Sequence, residues 1–201
     1  FASGHLGPLS EQQSYWITKM KGYIERLNRI ADDILTIQKM ESGKMVFEMQ
    51  DNDLAETILE TAEMMKIEAE KRGLALTTDL AGDIPKFKFD KDRIIQVLIN
   101  LVNNAIKFTD KGYIKISACL VGGQKAQVAV SDSGCGMDPK DVTKIFEKFE
   151  QLNNARERKT GGTGLGLSIA KEIILHHDGT IRAESELGKG SSFIFLLPVK
   201  K

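Results

Sequence analysis

The sequence has few cysteines and no excess of charge of either sign. Its 201 residues include only Cys119 and Cys135 as cysteines, and 28 basic residues balance 28 acidic ones. Two isolated cysteines exclude a disulfide framework and a cysteine-based zinc site, and they fit small apolar positions in a reducing compartment. A general nucleic-acid surface needs excess positive charge, which is missing here. We therefore expect a cytoplasmic protein that does not bind nucleic acid.

Long hydrophobic runs are also missing. No apolar stretch approaches the roughly 18 to 20 residues that a membrane-spanning helix needs, and there is no signal-peptide pattern. The composition is nevertheless 41% hydrophobic, which is enough for a buried core. We expect no membrane contact from this chain, although a longer protein that contains it could be anchored to a membrane elsewhere.

Residues 11–41 predict one long helix, because only Gly22 interrupts a run without glycine or proline. Apolar side chains recur three and four residues apart, and a second column repeats every seven residues beside the first. The two columns are Ile17, Met20, Ile24, Leu27, Ala31 and Ile34, and Trp16, Tyr23, Ile30 and Ile37. The combined stripe is too wide for a two-stranded coil and is typical of a four-helix bundle. A lone helix cannot bury it, so we expect a partner, either another copy or further chain.

From residue 44 onward, short alternating segments indicate strands and amphipathic segments indicate helices. We predict helices over residues 54–72, 90–108, 138–146 and 164–176, and strands over 45–49, 74–80, 87–89, 113–121, 125–131, 181–185 and 192–199. Hairpins separated by helices favour an α/β two-layer sandwich, with a mixed sheet covered by helices on one face. We place the domain boundary between residues 43 and 44, so that the domains are 1–43 and 44–201.

A glycine-rich loop at residues 161–167 (Gly-Gly-Thr-Gly-Leu-Gly-Leu) precedes the last predicted helix. Exposed backbone N–H groups and the positive end of the helix dipole would attract phosphate there. Glycine loops are common, so the loop alone is equally consistent with a surface connection. The polar segment at residues 151–160 is typical either of a mobile lid over a ligand or of an ordinary solvated connection.

Two further segments carry candidate ligand-binding side chains. Asn100, Asn104 and Lys107 share one face of a predicted helix, where amide oxygens could meet a hard cation and the ammonium could meet phosphates. Asp132 follows a strand, and two glycines follow it. Its carboxylate could accept a hydrogen bond from a ligand amino group, or it could simply cap a turn.

Other nucleotide motifs do not fit. The glycine loop lacks the dinucleotide-binding spacing and does not lie in a βαβ unit. Residues 188–191 (Gly-Lys-Gly-Ser) lack the Walker sequence, because glycine follows the lysine. No His-Arg-Asp or Asp-Phe-Gly sequence supports a kinase of the serine, threonine and tyrosine type.

Five motifs nevertheless follow one another in the order found in sensor histidine kinases. Residues 96–109 (Gln-Val-Leu-Ile-Asn-Leu-Val-Asn-Asn-Ala-Ile-Lys-Phe-Thr) resemble the N box of that family. The others resemble its first glycine box (132–136), its F box (145–149), its second glycine box (162–166) and its motif near the C-terminus (188–193). The resemblance covers about residues 45–199. The long helix and the segment before it look like the second half of the family's dimerisation and histidine-phosphotransfer hairpin.

This resemblance implies the ATP-binding sandwich shared with gyrase, Hsp90 and MutL, with ATP and Mg²⁺ as cofactors. Asn104 would ligate Mg²⁺, while Asn100 beside the phosphates and Lys107 in contact with them would be the catalytic residues. Asp132 would accept from the adenine amino group, and Phe146 and Phe149 would couple the lid to the domain. The further implied nucleotide-binding residues are Gly134, Gly136, Phe149, Arg158, Lys159, Gly162, Thr163, Gly164, Leu165, Gly166 and Ser192.

The sequence also departs from the family. The phosphoacceptor of the family lies in His-Glu-x-x-Thr-Pro on the first bundle helix, and no such sequence occurs here. His5 precedes a glycine and a proline in a loop, so we reject it as the acceptor. We expect the chain to begin after that helix. His176 and His177 end a helix, where a favourable interaction with the helix dipole explains them better than a shared metal.

The resemblance implies that the γ-phosphoryl of Mg·ATP moves to a histidine outside this chain. It also implies homodimerisation through the heptad helix and relay to the receiver domain of a response regulator. Gyrase-type relatives place a catalytic glutamate at the position of Asn100, and an asparagine cannot act as that base. A catalytically silent binding and dimerisation module remains an alternative, as does an ATPase of the gyrase group.

Overall fold

A computed structural model describes residues 9–150 and 163–200. The chain divides into two compact units, residues 1–45 and 46–201, and the division falls two residues after the predicted boundary. Within residues 9–150 and 163–200, no helix is both long and apolar enough to cross a membrane.

The first unit contains helix α1 (Glu11–Glu41), with the bounds that the sequence predicts. Ser10 begins it with a capping box, in which its hydroxyl accepts from the Gln13 N–H and the Gln13 side chain accepts from the Ser10 N–H. The apolar columns of α1 are largely exposed: Trp16 is 55%, Tyr23 64% and Leu27 65% accessible.

The second unit has two layers. Its described elements are β1 (Gln50–Asn52), α2 (Leu54–Lys71), β2 (Leu74–Ala81), β3 (Phe87–Phe89), α3 (Lys91–Phe108), β4 (Gly112–Val121), β5 (Lys125–Asp132), α4 (Pro139–Val142), α5 (Gly166–His176), β6 (Thr180–Glu186) and β7 (Gly190–Pro198). Five strands form a sheet in the order β2-β4-β5-β7-β6, while β1 and β3 form a separate antiparallel pair. Because β2 and β4 are parallel and the other neighbours are antiparallel, the sheet is mixed, as predicted.

Helices cover one face of this sheet. Cross-strand partners alternate between the two faces, and the row of Ile116, Val130 and Phe193 is buried. The adjacent row of Lys115, Ser131 and Ser192 is only half-buried. The core therefore lies between the first row and the apolar faces of α2, α3 and α5. The predicted α/β two-layer sandwich is confirmed.

Two element predictions are wrong. Residues 45–49 do not form a strand, and the first strand is β1, which pairs with β3. In place of strand pairing, Phe47 stacks on His176 at 4.9 Å between ring centroids, and the Glu48 N–H donates to Asp90. The helix predicted over residues 138–146 is limited to α4, followed by turns. Ile145 is the only buried side chain of residues 138–149, so little apolar surface is available to hold a longer helix.

His177 ties the end of α5 to the beginning of α3. Its Nδ1 lies 2.8 Å from the Ile173 carbonyl oxygen, and its Nε2 accepts from the Asp90 N–H at 3.0 Å. These partners assign the neutral tautomer, with the proton on Nδ1. Burial also lowers the pKa of His177. The predicted favourable interaction of His177 with the end of its helix is thus made by a neutral ring, through the hydrogen bond to the Ile173 carbonyl, and the same ring links two elements.

We expect the free energy of unfolding to fall as the pH is lowered below about 6.5, the ordinary pKa of histidine. The unfolded chain then binds a proton that folded His177 does not bind, so acid favours unfolding. His177→Leu should remove this component. It should also cost roughly 1 to 3 kcal/mol at neutral pH, because the Asp90 N–H loses its acceptor.

Urea unfolding between pH 5 and 8 measures both effects, and His176→Leu at the exposed neighbouring position is the control. An unchanged pH slope in His177→Leu would contradict the assignment.

The loop after β5 packs on the turn between β6 and β7. The Cys135 carbonyl accepts from the Gly188 N–H at 2.7 Å, and the Met137 N–H donates to the Ser185 hydroxyl at 2.8 Å. Gly136 has a φ of 63°, and a Cβ there would overlap the Glu186 carbonyl. Glycine is thus required at position 136 both for the backbone conformation and for the close approach of two chain segments.

Gly136→Ala should therefore be more destabilising than Gly188→Ala. Gly188 in the facing turn has a φ of 81°, and nothing lies within 4 Å of an added Cβ. Its replacement by alanine would therefore introduce backbone strain but no steric overlap. We expect a loss of about 1 to 2 kcal/mol for Gly188→Ala and about 1 to 3 kcal/mol more for Gly136→Ala. Chemical denaturation measures the difference, and equal losses would show that the overlap is relieved without cost.

Candidate functional site

Helix α3 presents three of the predicted site residues on one side. Asn100, Asn104 and Lys107 are half-buried there. The opposite stripe of α3 is at most 1% exposed and consists of Ile94, Val97, Leu98, Leu101 and Ala105. Because that stripe is fixed in the core, the polar face can point only away from it. Lys107 Nζ lies 4.6 Å from the centroid of the Phe108 ring.

The end of the glycine loop leads into α5 through a constrained turn. Gly164 has a φ of 72°, and an added Cβ would lie 3.0 Å from the Phe149 backbone. The Phe149 N–H donates to the Gly164 carbonyl at 3.1 Å, and Leu165 is fully buried. The Thr163 hydroxyl accepts from the Leu165 N–H at 3.2 Å. The start of α5 is therefore held by the protein's own backbone and core.

One hydrogen bond joins the polar face of α3 to this turn. The side-chain amide of Asn100 donates to the Gly166 carbonyl at 3.1 Å. Gly166 is the first residue of α5, whose N-terminus has no side-chain cap. Uncapped N–H groups and the positive end of the dipole thus adjoin the asparagine face of α3, which suits an anion bound with a cation.

Asp132 provides a buried acceptor at the end of β5. It is 7% exposed, and its Oδ1 accepts from the Gly134 N–H at 2.8 Å. Burial raises the pKa of Asp132, while hydrogen bonds from the backbone of Gly134 and Ser191 act in the opposite direction. A desolvated carboxylate gains from a further donor, so the position suits a ligand amino group.

Two residues around Asp132 add to this environment. The Thr109 hydroxyl is buried near the carboxylate and lowers the pKa of Asp132 as a nearby donor would, although no group among the described residues meets hydrogen-bond geometry with it. A Cβ on Gly134 would overlap the Phe108 carbonyl and lie 2.8 Å from Asp132 Oδ1. Gly134 therefore keeps the loop against the end of α3, in addition to leaving space beside the carboxylate.

Some predicted residues do not join this group. Ser192 lies on the opposite face of the sheet from Asp132, where its hydroxyl is 2.8 Å from that of Ser131. Ser191 pairs directly with Asp132 and lies on its face. Ser191 is therefore a neighbour of Asp132 that the sequence motif does not distinguish from Ser192, because the register between β5 and β7 decides which serine shares the face of Asp132.

The F-box phenylalanines have different surroundings. Phe146 packs edge-on against Phe193, with ring centroids 6.4 Å apart. Phe149 is 66% exposed, with a φ of 63°. Phe149 therefore contacts the glycine loop through its backbone. The predicted Arg158, Lys159 and Gly162 lie outside the described residues.

Comparison with known proteins supports an ATP-binding domain. Residues 89–201 match the family model described as "Histidine kinase-, DNA gyrase B-, and HSP90-like ATPase". The circadian input-output histidine kinase CikA of Synechococcus elongatus is 33% identical over 194 residues, which cover 96% of this chain and 26% of that protein. The chain thus spans about a quarter of this relative.

Two solved structures extend the likeness to the fold. Full-length ShkA in complex with AMPPNP superposes with a TM-score of 0.84 at 26% identity, covering 96% of this chain and 40% of that one. Histidine kinase ThkA in complex with response regulator protein TrrA gives a TM-score of 0.75 at 30% identity, covering 98% of this chain and 54% of that one. Together with the family match, these likenesses show that the chain belongs to the histidine kinase-, DNA gyrase B- and HSP90-like ATPase family and carries an ATP-binding catalytic domain of the sensor histidine kinase type.

Proposed function

We propose that this domain binds Mg·ATP and transfers the γ-phosphoryl to a histidine on a helical hairpin, for relay to an aspartate of a response regulator. The observation that carries the proposal is the hydrogen bond from Asn100 to Gly166, which joins the asparagine face of α3 to the uncapped start of α5. The acceptor histidine would lie outside this sequence, which contains no His-Glu-x-x-Thr-Pro.

The base of the nucleotide would lie against Asp132. Its carboxylate would accept a hydrogen bond from the adenine amino group. This bond would replace part of the hydrogen bonding to water that the carboxylate loses on burial. The buried Thr109 hydroxyl lies close by and has no hydrogen-bond partner in the described parts of the chain, so it could take part directly or through a water. Gly134 and Gly136 would contribute by keeping the loop in place.

The phosphates would lie between α3 and the start of α5. Backbone N–H groups in the first turn of α5 and the helix dipole would stabilise their negative charge. The half-buried amide of Asn104 fits Mg²⁺, which takes oxygen ligands and usually keeps phosphate oxygens and waters in its remaining positions. Bound there, the cation would neutralise phosphate charge, and Lys107 would add a second positive charge.

The chemistry would then be transfer and not hydrolysis. The side chain at position 100 is an amide, so it cannot take a proton from an attacking water. Positioning and charge neutralisation would supply most of the rate enhancement, as for phosphoryl transfer in general.

We also propose that α1 is part of a homodimeric helical bundle. The support is its exposed heptad columns, which a lone helix cannot bury. The response regulator as partner is supported by the complex of ThkA with TrrA, a relative that spans 98% of this chain.

Asp132→Asn should weaken ATP binding at least tenfold. The substitution removes the charge and places NH₂ donors where the adenine amino group needs an acceptor. Asp79→Asn on the exposed edge strand β2 is the matched control. Calorimetric titration with a non-hydrolysable ATP analogue in Mg²⁺ measures both variants, and equal affinities would refute the adenine assignment.

Radiolabelled ATP tests the reaction itself. The chain is mixed with the complete helical hairpin of the protein that contains it, so that an acceptor histidine is present. We expect label on the hairpin that is labile in acid and stable in base, as for phosphohistidine. Free phosphate without labelled protein would instead indicate an ATPase, and neither product would indicate a silent binding module.

A further inference from the structure

The contact between Asn100 and Gly166 assigns a second role to this asparagine. The residues are 66 positions apart in sequence, yet Asn100 Nδ2 lies 3.1 Å from the Gly166 carbonyl oxygen. A Cβ added to Gly166 would lie 3.6 Å from Asn100 Cγ, in ordinary van der Waals contact, so a side chain at position 166 would pack against the amide group. The contact is therefore both polar and close-packed.

The direction of this hydrogen bond is fixed by chemistry. A backbone carbonyl can only accept, so the NH₂ group of Asn100 must face Gly166. An aspartate of almost the same shape could not make the bond, because it would place two acceptors against each other. A ligand to Mg²⁺, by contrast, needs only an oxygen, and an aspartate would serve there at least as well.

Among the described residues, the start of α5 has few side-chain restraints. No side chain caps it, and two nearby side-chain hydrogen bonds are local: Thr163 accepts from the Leu165 N–H, and the Ser168 hydroxyl donates to the Leu165 carbonyl at 2.9 Å. Asn100 differs from both, because it reaches this turn from another helix.

We propose that Asn100 is a positioning residue, which sets the first turn of α5 relative to α3 through its hydrogen bond to the Gly166 carbonyl and acts without ligating the metal. This inference rests on the proposed function. Asn100 and Asn104 would then have different roles: Asn100 positions the phosphate-binding turn, and Asn104 ligates the cation.

The test compares binding of ADP in Mg²⁺ with binding in EDTA. Asn100→Asp should weaken ADP binding about tenfold in both conditions, since the lost hydrogen bond is worth about 1.4 kcal/mol. The ratio of the two affinities should stay as in the unmodified protein. In Asn104→Ala, the ratio of the ADP affinity in Mg²⁺ to that in EDTA should instead fall towards one.

Asn103→Asp is the matched control, since it makes the same charge change at an exposed position of α3. It should change ADP affinity less than twofold. Asn100→Ala removes the donor without adding charge, and it should weaken binding in the same direction in both conditions. The positioning role would be overturned if Asn100→Asp bound ADP in EDTA as tightly as the unmodified protein does and lost affinity only in Mg²⁺.

Hydrogen exchange without nucleotide separates this inference from the proposed function. We expect faster amide exchange in the peptide over residues 163–170 of Asn100→Asp and Asn100→Ala, with unchanged exchange there in Asn103→Asp. Unchanged exchange in all variants would overturn the inference even if ADP binds. If the unmodified protein fails to bind ADP, the proposed function fails, and the exchange result still decides the role of Asn100.

Discussion

The burial of one side of α3 is the constraint on which the site depends. Its apolar stripe is enclosed by the sheet and by the neighbouring helices, so the helix cannot rotate without exposing several large side chains. At roughly 25 cal/mol per Å² of apolar surface, such a rotation is far too costly to occur in the folded state. Asn100, Asn104 and Lys107 consequently keep one orientation.

The remaining parts of the site are placed relative to this helix. The loop after β5 is anchored by the Cys135 N–H, which donates to the Phe108 carbonyl at the end of α3. The start of α5 is anchored by Asn100. Segments far apart in sequence thus use one rigid element as their common reference, which is how loops can hold a ligand with well-defined geometry.

Much of this arrangement could be predicted from the sequence. The bounds of α1, the capped start of α3 and the strands of the mixed sheet follow from periodicity and capping, which are local signals. The alternation at residues 45–49 predicts a strand that does not form, because Phe47 packs on two histidines and the segment makes no strand pairing. That packing depends on residues about 130 positions away, and no local pattern encodes it.

The site residues also differ in whether local sequence patterns or contacts between distant residues identify them. Asp132 and the asparagine face were identifiable by residue type and spacing. The partner of Asn100 was not, because it is a backbone carbonyl, which every residue carries. The sequence motif does not separate Ser192 from Ser191, because two adjacent serines look equivalent until the register with β5 assigns each to a face of the sheet.

The link between His177 and Asp90 has a consequence for the order of folding. It joins residues 87 positions apart, so its formation carries a large loop-closure entropy cost unless α3 and α5 are already formed and adjacent. Interactions of this kind are largely absent from a folding transition state that is built on more local contacts. We therefore expect the link to act mainly on the unfolding rate, lengthening the lifetime of the native domain more than it speeds its formation.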